Sequence, residues 1–237
     1  MKQLALGVRL RADAIFESFV SGLNGELIAA LREGGPVPLW LWGSEESGKT
    51  HLLQAVCAAA AAPPNAAAVD AAAAYFPLER SPALPPAALA GFENCRVLCL
   101  DDVDAIAGDL QWEQALFRLF NEAAELGTRL IFAARAAPRG IDWSLEDWRS
   151  RAAACVVYQL RDLDDSGRLE ALRLRAAQRG LQLPPETADY LLRRMPRDLP
   201  SLFEILDHLD EASLVAQRRL TVPFIRDALE RLAETKP

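Results

Sequence analysis

The sequence predicts an α/β fold, a parallel sheet between layers of helix, followed by a smaller all-helical domain. Three observations predict it. Short apolar runs alternate with helix-prone stretches as far as about Leu160, the pattern of parallel strands joined by crossover helices. A GxxxxGK[ST] motif, Gly43-Ser-Glu-Glu-Ser-Gly-Lys-Thr50, follows one such run and precedes a helix-prone one. From Asp164 onward the apolar residues recur only at helical spacing.

Taken in order, Val37-Pro-Leu-Trp-Leu-Trp42 reads as a buried strand and Leu52 to Ala61 as a helix. Arg96-Val-Leu-Cys-Leu-Asp101 is a second buried strand, ending in acid. Between Gln111 and Leu126, Trp112, Leu116, Leu119, Phe120 and Ala123 fall on a 3.6-residue period, which makes an amphipathic helix. Arg129-Leu-Ile-Phe-Ala-Ala134 and Cys155-Val-Val-Tyr158 give two more strands. Alanine's poor strand propensity leaves only a weak signal for a further strand between Ala66 and Phe76. Past the sheet, Asp164 or Ser166 caps a helix that runs to Arg179 and stops at Gly180. Pro184-Pro185 opens a second to about Met195, Asp198 to Arg218 forms a third, and Pro223 sits in the first turn of a fourth. The expected organisation is a nucleotide-binding core over 13–162 and a helical domain over 163–237, preceded by a peptide over 1–12.

Composition narrows the function. The 237 residues, 51% of them apolar, can fill one large domain or a core with an appendage, and disorder is excluded. With 42 alanines that figure overstates the burial on offer, so the core is expected around Leu39, Leu98 and Ile131 and in the C-terminal helices. A net charge of -7 argues against a broad electrostatic grip on nucleic acid and leaves room only for a local basic patch. The N-terminus lacks the features of a secretory signal, and no apolar run reaches the roughly 20 residues of a membrane span. A cytoplasmic protein is expected. Cys57, Cys95, Cys99 and Cys155 form no CxxC pair, and only His51 and His208 could complete a metal site, so the thiols read as small buried groups. Of 26 basic residues only Lys2, Lys49 and Lys236 are lysine, which makes each of them informative.

Lys49 stands in the loop motif. Backbone N–H groups of such a loop face phosphate oxygens, the lysine bridges the terminal phosphates, and the hydroxyl after it holds Mg²⁺. Gly43 and Gly48 allow backbone angles and a close approach that a Cβ would block, and the next helix points its positive end at the phosphates. The chain's own composition gives the motif a chance rate of about 6 × 10⁻⁴, too low for coincidence. Gly43, Ser47, Gly48, Lys49, Thr50 and His51 therefore form the expected cradle for ATP or ADP. Asp101 and Asp102, ending an apolar strand, occupy the place of the acids that serve the metal: Asp101 joins Thr50 on Mg²⁺, and Asp102 is the candidate base.

Several segments in sequence resemble AAA+ ATPases of the DnaA clade, and within it the branch that inactivates the replication initiator DnaA. They are Phe16-Glu-Ser-Phe-Val-Ser-Gly22, Gly48-Lys-Thr-His-Leu-Leu53, Ala107-Gly-Asp-Leu-Gln-Trp-Glu113, Trp148-Arg-Ser-Arg151 and Leu214-Val-Ala-Gln-Arg-Arg-Leu-Thr-Val-Pro-Phe224. The resemblance implies an αβα core and a helical lid that close on nucleotide, with Phe19 and Val20 at the base. It implies that Arg151 is an arginine finger acting in trans on a neighbour's ATP; Arg149, two residues away, diverges from it on a helix. It also implies that Met1-Lys-Gln-Leu-Ala-Leu-Gly-Val8 docks on the sliding clamp of DNA polymerase through Gln3, Leu4 and Leu6, as an extended peptide in a groove. Unlike DnaA, the chain stops at Pro237, about a dozen residues past the start of its last helix, so no helix-turn-helix DNA reader and no sequence-specific DNA binding are expected.

Two positions depart from the family. Pro200 stands where relatives carry a lid arginine that touches phosphate, with Arg197 as an imperfect substitute, and Arg135 replaces the polar sensor of the γ-phosphate. Both departures argue against efficient self-hydrolysis and for a loop that mainly holds a nucleotide, ADP above all. The resemblance thus implies a regulatory adaptor that, on a DNA-loaded clamp, presents Arg151 to ATP held by DnaA and limits re-initiation of replication. A stand-alone phosphate-loop ATPase or kinase and a DNA-binding loader are the competing readings. Self-association through Arg151 is left open.

Overall fold

The computed structural model describes residues 14–60, 73–79, 84–216 and 220–235. The clamp peptide with Gln3, Leu4 and Leu6 lies outside the described residues. The chain divides into two compact units: one takes the residues up to Phe19 and Leu23–Asp162, the other takes Val20–Gly22 and Leu163 onward.

The first unit runs α1 (Gly25–Glu33), β1 (Leu39–Trp42), α2 (Lys49–Ala60), β2 (Ala73–Pro77), β3 (Val97–Asp101), α3 (Leu110–Leu126), β4 (Arg129–Ala134), α4 (Glu146–Ala153) and β5 (Val156–Gln159). The strands form one sheet in the order β2-β3-β4-β1-β5. Every neighbouring pair is parallel, with Leu39 opposite both Ile131 and Val156. Successive side chains of a strand point to opposite faces, and the core divides accordingly. Trp40, Leu98, Leu100 and Phe132 face one way, onto Trp112, Leu116, Phe120 and Trp148 of α3 and α4. Leu39, Leu41, Cys99 and Ile131 face the other, onto Leu27 and Leu31 of α1 and Leu52, Leu53 and Val56 of α2. An apolar stripe on each helix covers a sheet that is apolar on both faces.

The strands around Leu39, Leu98 and Ile131 are the core that the composition pointed to, and all four cysteines are buried free thiols. The weak signal between Ala66 and Phe76 proves to be β2, which pairs with β3 from Ala73 opposite Val97 to Pro77 opposite Asp101. Helix α1 has no counterpart in the sequence reading. Its signature was there: Leu27 and Leu31 four residues apart, Asn24 before the first turn, and Gly34 at φ +79° after the last.

The second unit holds α5 (Asp165–Gln178), α6 (Pro185–Arg194), α7 (Leu199–Ala216) and α8 (Val222–Thr235). Leu172, Leu191, Leu202, Leu206 and Ile225 are its core. Asp164, not Ser166, caps α5, accepting from the Gly167 N–H at 2.8 Å, and Gly180 ends that segment at φ +73°. Among the described residues no helix is long and apolar enough to cross a membrane.

Candidate nucleotide site

The GxxxxGK[ST] loop leaves the carboxyl end of β1, between the ends of β4 and β5, the crevice where open parallel sheets hold their ligands. Local contacts account for both glycines. A Cβ on Gly43 would come within 2.6 Å of the Leu160 carbonyl oxygen. Gly48 has φ +97°, and a Cβ there would lie 2.8 Å from Phe19 Cε2, because the Phe19 ring rests on the loop. The same ring is tilted against His51, with centroids 5.6 Å apart. His51 Nε2 lies 3.0 Å from the Ile15 carbonyl and 3.2 Å from Ser18 Oγ, so it ties α2 to the segment that carries Phe19. Val20 is buried and belongs with the helical unit.

Lys49 is 3% exposed. Its ammonium donates to the Gly43 carbonyl at 3.0 Å and to the Ser44 carbonyl. Burial lowers its pKa from the usual lysine value, against the pull of Asp101, Asp102 and Asp104. Ser47 Oγ donates to the Ser44 carbonyl at 2.8 Å, and Ser44 Oγ donates to Asp162 at 2.6 Å. The loop is thereby linked to the last residue of the first unit. Next to it, Asn24 makes a reciprocal amide pair with Arg161, 2.9 and 2.8 Å.

Asp101 is fully buried at the end of β3. Thr50 donates to its Oδ2 at 2.6 Å, Tyr75 of β2 donates to the same oxygen at 2.8 Å, and the Asp102 N–H donates to Oδ1 at 3.1 Å. A buried carboxylate needs such donors. Asp102 stands at φ +53°, a left-handed conformation in which Asp is among the few tolerated side chains. Burial first, then Asp101, Glu79 and Asp104, push its carboxyl up to about 6, while Lys49 pulls the other way. The Thr50 hydroxyl and Asp101 carboxylate together offer the oxygen donors that Mg²⁺ takes when phosphate and water complete its shell. This chemistry fits the residues present.

Arg135 and Pro200 both lie outside the loop. The Arg135 N–H donates to Asp104 Oδ1 at 3.1 Å, and its exposed guanidinium lies 3.5 Å from Glu45. In the helical unit, Pro200 is the second residue of α7, and Arg197 pairs with Asp165 at 3.3 Å. On α4, Arg149 donates to the Trp143 carbonyl at 2.9 Å and pairs with Glu146 at 2.9 Å. Arg151 is exposed, and its guanidinium lies 5.9 Å from the ring centroids of both Phe117 and Phe120. Tyr75, Asn24 and Asp162 were missed by sequence reasoning, because none lies in a motif; the topology alone brings them to the loop and its acids.

A five-stranded parallel sheet, a phosphate loop after its first strand, an acid pair ending β3 and a separate helical unit define an AAA+ protein of the phosphate-loop class. Residues 10–159 match the family model of the bacterial DnaA ATPase domain, and residues 165–229 match that of the Hda lid domain. The chain belongs to the DnaA-related AAA+ family, with a lid of the Hda kind. Domain III of the replication initiation protein DnaA from Thermotoga maritima is similar at 22% identity with a TM-score of 0.79, over 97% of this chain and 100% of that one. AMPPCP-bound DnaA from Aquifex aeolicus is similar at 22% identity and a TM-score of 0.66, over 84% of this chain and 66% of that one. The RuvB Holliday junction branch migration motor of Thermotoga maritima follows at 14% identity and a TM-score of 0.63, over 86% of this chain and 65% of that one. At these identities the likeness is one of fold.

Proposed function

We propose that this chain is a regulatory AAA+ adaptor that supplies an arginine finger to ATP held by DnaA, promotes its hydrolysis, and so restrains initiation of replication. The observation that carries this reading is the contrast on α4. Arg149 is committed to Trp143 and Glu146, whereas among the described residues Arg151 has no acidic partner and lies exposed over two aromatic rings. A planar guanidinium held this way is suited to a developing negative charge on a neighbour's phosphate.

In this reading Lys49, Thr50, Gly43, Ser47, Gly48 and His51 hold the chain's own ADP or ATP, with Asp101 and Thr50 on Mg²⁺ and Phe19 and Val20 toward the base. Arg135 and Pro200 leave self-hydrolysis weak, with Asp102 as its base. The peptide over 1–12 brings the protein to the sliding clamp through Gln3, Leu4 and Leu6, in the cytoplasm, and DNA is reached through the clamp. AMPPCP in the solved DnaA structures supports nucleotide binding by the shared fold.

The test is hydrolysis by ATP-bound DnaA in the presence of clamp loaded on DNA. Arg151→Ala is expected to abolish the stimulation while clamp binding persists, and Gln3→Ala to weaken clamp binding. Undiminished stimulation by Arg151→Ala would overturn the finger.

A further inference from the structure

Glu113 lies in the middle of an apolar core, fully buried on α3 between Trp112 and Leu116. A carboxylate there costs several kcal/mol unless donors surround it. Three backbone N–H groups do: Gly108 at 2.8 Å and Ser144 at 3.1 Å on Oε1, and Leu145 at 2.6 Å on Oε2. The last two belong to the entry of α4.

That helix needs outside help. Its N-cap residue is Leu145, which brings no side-chain cap, and its third residue is Trp148, which cannot reach back to the N-cap N–H as a glutamate does in a capping box. Glu113 supplies the missing acceptor from another helix, with a negative charge at the positive end of α4. The face of α3 that bears Glu113 continues, four and seven residues on, to Phe117 and Phe120, the rings beneath the Arg151 guanidinium. One helix face thus fixes both the start of α4 and the side chain in its second turn.

We propose that Glu113 is the positioning residue of the Arg151 finger: its buried carboxylate caps the finger helix from outside and sets the direction in which the guanidinium leaves the surface. The inference rests on the reading of Arg151 as a finger.

The experiment uses the full chain with ATP-bound DnaA and DNA-loaded clamp. It reads the maximal stimulated hydrolysis rate and, separately, the concentration of the chain that gives half of it. Glu113→Gln keeps the shape but removes the charge and puts an NH2 donor in place of one of the two oxygens that accept these N–H groups. It is expected to lower the maximal rate about tenfold, as displaced catalytic groups do, with the half-saturating concentration and ADP binding by the chain itself unchanged. A full maximal rate for Glu113→Gln would overturn the inference. Should Glu113→Gln fail to fold, Phe117→Ala, which cuts only a half-buried ring, carries the same expected signature, and a full rate there overturns it. Full stimulation by Arg151→Ala alone overturns the finger itself, an outcome distinct from all of these.

Discussion

Phe19 lies edge-on against Gly48: the phenyl edge occupies the space that any side chain at Gly48 would need, 2.8 Å from where its Cβ would stand. The glycine of the phosphate loop is thus required twice, by its φ of +97° and by the ring above it.

Gly48→Ala should therefore be worse than an ordinary left-handed alanine, which costs about 1–2 kcal/mol. A lower melting temperature and loss of fluorescent-ADP binding are expected. Adding Phe19→Ala should restore the part due to the clash and leave the backbone part. Thermal melts of the single and double variants separate the two, and equal melts for Gly48→Ala with and without Phe19 would disprove the contact.

Tyr75→Phe removes one of the two hydroxyl donors on Asp101 Oδ2. A hydrogen bond to a charged group contributes about 1.5–3 kcal/mol, and the carboxylate is then held by Thr50 and the Asp102 N–H without Tyr75. Nucleotide affinity in Mg²⁺ should fall about tenfold, while affinity in EDTA stays as it was. Titrations in both buffers test this, and an equal drop in both would mean that Tyr75 serves the fold and not the metal oxygen.

Asp102 predicts a pH dependence. Its folded carboxyl, pushed up to about 6, holds a proton more tightly than the unfolded chain does at about 4. The stability this brings is complete below about pH 4 and is lost as pH rises to about 6. The wild-type melting temperature should therefore fall relative to that of Asp102→Asn across this window, measured without Mg²⁺. Parallel curves would show that Asp102 titrates normally.

Arg149→Ala and Arg151→Ala should separate stability from function. Arg149→Ala removes the bond to the Trp143 carbonyl and the Glu146 pair, and about 1 kcal/mol of stability is expected to go with them. Arg151→Ala should melt close to wild type and lose its effect on DnaA. Reversed phenotypes would exchange the roles of the two arginines.

What could be read from the sequence, and what could not, divides along physical lines. Strands β1, β3 and β4 announce themselves because both their faces are buried and apolar, and Lys49, Thr50 and Asp101 because phosphate chemistry fixes their spacing. Tyr75 stays hidden: it reaches Asp101 only because β2 pairs beside β3, and β2 itself lies in an alanine-rich stretch with little strand signal. Glu113 looks like a solvated acid in an amphipathic helix, since its acceptors' partners come from residues 108 and 144–145, distant on the chain in one case and across a glycine turn in the other. Asn24 and Arg161 pair across the whole first unit, a separation no local pattern encodes.

Lys49 is the one lysine among the described residues, shut in with its ammonium against two loop carbonyls. The only other lysines of the sequence are Lys2 and Lys236, so amine-directed acylation gives few products to tell apart. The extent of modification at this single residue becomes a chemical footprint of the phosphate loop, read by peptide mass, that reports when the loop opens without any label being introduced.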